Sequence, residues 1–78
     1  MAARRFKVLL EFDPDAKVWV TYVPALDNAS TFGETREEAL EMTRELVLGY
    51  IEAAEKEGLP APAERPETEI VDLEVTPA

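Results

Sequence analysis

The stretch TREEALEMTRELVLGYIEAAEKEG, Thr35 to Gly58, decides how this chain is read. It is the longest uninterrupted periodic segment, and both of its ends are marked. Thr35 and Glu38 form an S/T-x-x-E capping box, whose hydroxyl and carboxylate satisfy backbone N–H groups left free at a helix start. At the far end Lys56 falls in the last turn, and Gly58 suits the left-handed position that most residues resist. Leu59 is placed to fold back on that turn, and Pro60 stops the helix. About 22 residues between the caps give a helix of roughly 33 Å at 1.5 Å per residue.

On a wheel of 100° per residue, one half of this helix is apolar. Met42, Ala53, Leu46, Ala39, Tyr50, Thr43, Ala54, Val47, Leu40 and Ile51 follow one another around it. Arg44, Glu37, Glu55, Glu41, Glu52, Glu45, Glu38 and Lys56 take the other half, and Leu48 interrupts them. Arg36 and Glu57 point to the apolar side only at the ends. An arc of about 180° is wider than one packing surface requires. Two burial partners are therefore expected, one of them the domain's own sheet. Gly49, at the edge of the arc, reads as a tolerated glycine rather than a close backbone approach.

Upstream of the helix the period changes to two. Phe6, Val8, Leu10 and Phe12 alternate with Arg5, Lys7, Leu9 and Glu11, which predicts a half-buried strand over 6–12. Asp13-Pro14-Asp15-Ala16-Lys17 is a hairpin loop. Val18 to Val23 is β-branched and aromatic, with Trp19, Thr21 and Val23 on one face and Val18, Val20 and Tyr22 on the other. Pro24 ends it. Ala25 to Ala29 read as a loop, and Ser30-Thr31-Phe32 as a short third strand that turns at Gly33 into the helix cap.

Downstream, Leu59 to Pro66 holds Pro60, Pro62 and Pro66 and predicts an extended surface connection. Glu67 to Val75 then alternates, with Glu69, Val71, Leu73 and Val75 opposite Ile70, Asp72 and Glu74. The expected fold is α+β, in the order β-β-β-α-β. An antiparallel meander is joined by a last strand, which runs parallel to the first if it docks beside it. One long helix covers one sheet face. The other face carries Leu9, Trp19 and Val23, or the residues opposite them, and a small domain rarely leaves such a patch bare. Self-association into a homodimer or higher homo-oligomer is expected there.

The 78 residues make a single domain, 1–78, near the lower size limit for a self-sufficient core. There is no Cys and no His, which removes disulfides, cysteine metal sites and the commonest general base. A net charge of −9 argues against a nucleic-acid surface and favours a basic partner or simply solubility. Neither a signal-peptide h-region nor a membrane-length apolar run is present, so a cytoplasmic protein is expected. Abundant Glu and Arg, with no Gln and one Asn, lean toward a thermophilic source.

Chemistry is sparse. Asp13, Asp15 and Asp27 lie in loops, where convergence on a hard metal ion would mark a metal-dependent hydrolase; turn formation explains each of them individually. Ser30 has no histidine to activate it, and no glycine-rich phosphate loop exists. Trp19 and Tyr22 lack the basic neighbours a base-stacking surface needs. No enzyme activity, cofactor or metal is expected. The helix glutamates read first as a solvated face; what suggests a binding role is that Glu37/Glu41 and Glu41/Glu45 are like-charge i,i+4 pairs that a helix does not favour. Glu41, Arg44, Glu45, Leu48 and Glu52 are the candidate partner-binding set, an apolar anchor with a charged rim.

The order of these pieces is familiar. An acidic turn leads to Trp19, then to Pro24-Ala25-Leu26, then to Gly33-Glu34-Thr35-Arg36-Glu37-Glu38-Ala39, and a long helix ending near Tyr50-Ile51-Glu52 leads to Glu57-Gly58-Leu59-Pro60. This resembles the HicB family of antitoxin-like proteins, with its Asp-Gly-x-Trp, Pro-x-Leu-Pro-Gly-Cys and Gly-x-Thr-x-Glu-Glu-Ala runs, over about Phe6 to Pro62. The resemblance implies a β-β-β-α-β domain that dimerises and neutralises a small, basic, mRNA-cleaving HicA-type toxin. Asp27-Asn28-Ala29-Ser30 departs from the family's Pro-Gly-Cys loop. No DNA-binding domain follows the last predicted strand, so operator binding is not carried over. The alternative is a stand-alone homo-oligomeric domain of the same fold with no toxin-related role.

Overall fold

The hairpin loop sets the register of the sheet. Asp13 Oδ1 accepts hydrogen bonds from the backbone N–H groups of Asp15 (3.0 Å) and Ala16 (3.2 Å), and Lys17 N–H closes the loop on Asp13 O at 2.7 Å. Lys17 takes a left-handed conformation, φ 58°, to make that closure. In the computed structural model, which describes residues 4–60 and 69–77, the loop joins β1 (Leu9–Asp13) to β2 (Val18–Val23). The strands are antiparallel, with Phe12 opposite Trp19 and Leu10 opposite Thr21.

At its other end β2 runs into a single 3-10 turn, Pro24–Leu26. Asp27 and Asn28 follow with φ of 54° and 59°, a conformation their short polar side chains tolerate. Asn28 N–H then bonds Val23 O at 3.0 Å. This turn carries Leu26 into the core, where sequence reading places only a loop. β3 (Ala29–Gly33) returns antiparallel along β2, with Thr31 opposite Thr21 and Gly33 opposite Trp19. The sheet has three strands in the order β1-β2-β3.

The helix, α1 (Arg36–Glu57), has the caps its sequence predicts. Thr35 Oγ1 accepts from Glu38 N–H at 3.0 Å, and Glu38 Oε1 reaches back to Glu34 N–H at 3.1 Å, one residue before the usual partner. At the other end Gly58 adopts φ 69°, its N–H bonds Glu55 O, and Leu59 N–H bonds Ala54 O at 2.9 Å. That pair of bonds is a Schellman closure. Thr35→Ala removes the acceptor for Glu38 N–H and should lower the unfolding free energy by about 1 kcal/mol; an unchanged urea midpoint would contradict it.

Ala39, Thr43 and Val47 form the buried line of α1, one residue per turn. They lie over the sheet face of Trp19, Thr21 and Val23. The Thr21 and Thr43 hydroxyl oxygens are 2.6 Å apart, and Thr43 donates to Ala39 O at 2.7 Å. Thr21 Oγ1 also lies 3.3 Å from Thr31 O as a donor, so the two hydroxyls form a small network in which either can donate to the other. The apolar core is small: Val23, Leu26, Ala39 and Val47 are the buried hydrophobic residues among those described. Phe6, Val8, Ala29 and Ile51 pack around this core, half-buried.

Two predicted strands need correction. The first begins at Leu9 rather than Phe6. Beyond Val23 its partner turns away, and Pro24 has no N–H to offer, so residues 6–8 pack on the core without a ladder. The last predicted strand, Glu67 to Val75, is not formed among the described residues; Glu67 and Thr68 lie outside them, as do residues 61–66 of the predicted connection. Over residues 69–77 no neighbouring strand supplies ladder hydrogen bonds, and Ile70, Val71, Leu73 and Val75 are 68–82% exposed.

Candidate protein-binding surfaces

Three surfaces emerge from this arrangement. The first is the outer face of α1, where Glu41, Arg44, Glu45, Leu48 and Glu52 are all exposed. Arg44 pairs with Glu41 at 3.5 Å, i,i+3, with both side chains more than half exposed, so the pair contributes little to stability. Most of the carboxylates are left facing solvent at the spacing of mutual repulsion. Such a face attracts cationic surfaces at a distance of about a Debye length, roughly 8 Å at physiological salt.

The second surface is a groove of about 770 Å³ between residues 4–8 and α1. Arg4, Phe6 and Val8 form one wall, and Leu40, Arg44, Leu48 and Ile51 line the other side. Leu48, half exposed, is thus not an isolated apolar residue amid acids. Together with Arg44 it borders this groove and joins the apolar arc to the acidic face. The groove is not legible from alternation, which assigns residues 6–12 to a single strand.

The third surface is the sheet face turned away from α1. Because cross-strand partners share a face, Leu9, Val18, Val20 and Tyr22 lie there with Phe32, which is 61% exposed. The residues expected to drive self-association do not sit together. Leu9 is on this outward face, whereas Trp19 and Val23 are on the helix side. Trp19 stacks at a tilt on Phe12, with ring centroids 5.3 Å apart. Val23 is fully buried in the protomer's own core and is not available to another copy. The outward set is Leu9 with the residues opposite Trp19 and Val23 in the pleat.

Asp13 and Asp15 lie at one end of β2 and Asp27 beyond the other, about 17 Å away at 3.3 Å per residue. They do not converge, and no group of three or more acidic side chains among the described residues could hold a metal ion. The hydrolase reading loses its ligand set. Among the described residues no helix is long and apolar enough to cross a membrane. Compared with protein-family models, curated proteins and solved structures, the chain matches none.

Proposed function

We propose that this chain is a non-catalytic binding module of the HicB type, which neutralises a small basic mRNA-cleaving toxin by covering its RNA-binding surface. The observation that carries the reading is the outer face of α1. Glu41, Glu45 and Glu52 stand in solvent beside Leu48, on a chain whose net charge is −9. A toxin that binds RNA needs a basic surface, and an acidic helix with an apolar edge is complementary to one. The resemblance in motif order supplies the partner class. In this reading 69–75 adds the fourth strand beside β1, the domain works in the cytoplasm, and copies assemble with one another.

Titrating a HicA-type toxin encoded beside this chain with purified protein should abolish RNA cleavage at a stoichiometric ratio. Cleavage that continues undiminished across the titration sinks the proposal. Glu41→Lys/Glu45→Lys/Glu52→Lys should weaken neutralisation by at least about tenfold, and more at low salt than at high. The rival reading, a stand-alone homo-oligomer, draws on the small core and the uncovered Leu9/Val20/Tyr22 face. It predicts stable assembly with no effect on any toxin.

A further inference from the structure

We infer that the segment 69–75 docks in the groove of a second copy of this chain, so that two protomers exchange their last strands. The inference rests on the reading of that segment as the fourth strand, and adds whose groove receives it. Three observations converge.

The first is shape and charge. The groove has an apolar floor, and its wall of residues 4–8, which leads into the edge strand β1, joins no strand ladder. The segment is apolar at alternate positions, is exposed in its own protomer, and carries Glu69, Asp72 and Glu74 with no basic residue. Laid parallel to β1, with Val71 and Leu73 beside Phe6 and Val8, it places Glu69 beside Arg4 and Asp72 beside Lys7. Both are opposite-charge neighbours. Sliding the segment two residues forward instead sets Glu74 beside Glu11 and loses both pairs.

The second is direction. α1 starts over Gly33, close to the end of β1, and runs back toward Phe6 and Val8. A strand parallel to β1 must therefore reverse the direction of the helix. The third is the composition of the link. Pro60, Pro62 and Pro66 punctuate the residues between α1 and the segment. Proline-rich sequence favours extended geometry at about 3.1 Å per residue, which opposes a tight reversal. A segment that does not reverse along its own helix is left for the groove of another copy, and a two-fold related partner returns its own segment in exchange.

Charge reversal in two full-length chains tests this. R4E/K7E makes the receiving edge acidic, Arg4 at the groove and Lys7 on the other side of the same stretch; E69K/D72K makes the segment basic. All four positions are exposed, so each variant should keep its helix by far-UV circular dichroism. Wild type should be dimeric in native mass spectrometry at low micromolar concentration. Each variant alone should have its dimer dissociation constant raised at least about tenfold. An equimolar mixture should form the heterodimer with near wild-type affinity, because each basic segment then meets an acidic groove and each acidic segment a basic one.

Monomeric wild type overturns the inference. So does a mixture in which the variants stay monomeric, since docking within one chain cannot be rescued by mixing. Variants that remain dimers alone overturn it too, by placing the contact elsewhere. Toxin neutralisation is read separately on the same mixture. Heterodimers that fail to neutralise leave the exchange standing and sink the antitoxin reading, and neutralisation without heterodimers does the reverse.

Discussion

Gly33→Ala is expected to cost about 3 kcal/mol of stability, at the upper end of overpacking effects. A methyl group at this position would stand 2.4 Å from the Ala39 backbone nitrogen and 2.8 Å from the Glu38 carbonyl carbon. Both are backbone atoms of the first turn of α1, so no side chain can swing aside. Either β3 or the helix start has to move, and the helix start is tied to Thr35 by its cap. Gly49→Ala is the control, because a methyl group there meets nothing within 4 Å. It should stabilise the helix by about 1 kcal/mol. Urea unfolding at fixed protein concentration reads both. A Gly33→Ala midpoint within error of wild type would mean that α1 does not rest on β3 as described.

Val23→Asp should abolish the folded state at neutral pH. Val23 is fully buried between α1 and the sheet, among Leu26 and Val47. A carboxylate there has no counter-charge and no water, a cost of more than about 4 kcal/mol, comparable with what a domain of this size has in total. Burial raises the pKa of the introduced carboxyl above that of free Asp, so the folded state holds a proton that the unfolded chain releases. Stability therefore falls as pH rises between those two values, and residual structure should be greatest near about pH 4. Cooperative unfolding at pH 7 with a wild-type midpoint would overturn the placement of Val23. Val20→Asp changes the neighbouring face instead. It should leave the fold in place and reveal, by loss of assembly, whether copies meet through that face.

The helix was legible in full because everything that fixes it is local. Thr35, Glu38, Gly58 and Leu59 act within five residues of the groups they satisfy, and the structure places α1 between those caps. β2 was equally plain, since Val18–Val23 is bounded by the Lys17 and Pro24 turns. What escaped depends on distant partners. Phe6 to Val8 has strand alternation but loses its ladder where β2 turns away at Pro24. Leu26 reaches the core only because Asp27 and Asn28 accept positive φ after a 3-10 turn. Alternation divides β2 into a Trp19/Val23 face and its opposite without saying which one the helix takes, so the face open to self-association stays undecided in the sequence. Thr21 settles that through its hydroxyl bond to Thr43, a pairing across 22 residues that no local pattern announces.

That hydroxyl pair also limits how many ways the domain can pack. The core of Val23, Leu26, Ala39 and Val47 is apolar and carries no directional bond of its own. A shifted helix would break the hydroxyl pair, leaving Thr43 only its bond to Ala39 O and Thr21 only its contact with Thr31 O, at a cost of about 1 kcal/mol. The correct placement therefore stands out from its neighbours by more than its own stability reflects. Replacing both threonines with valine should accordingly preserve much of the free energy of folding while weakening the preference for one alignment of helix on sheet.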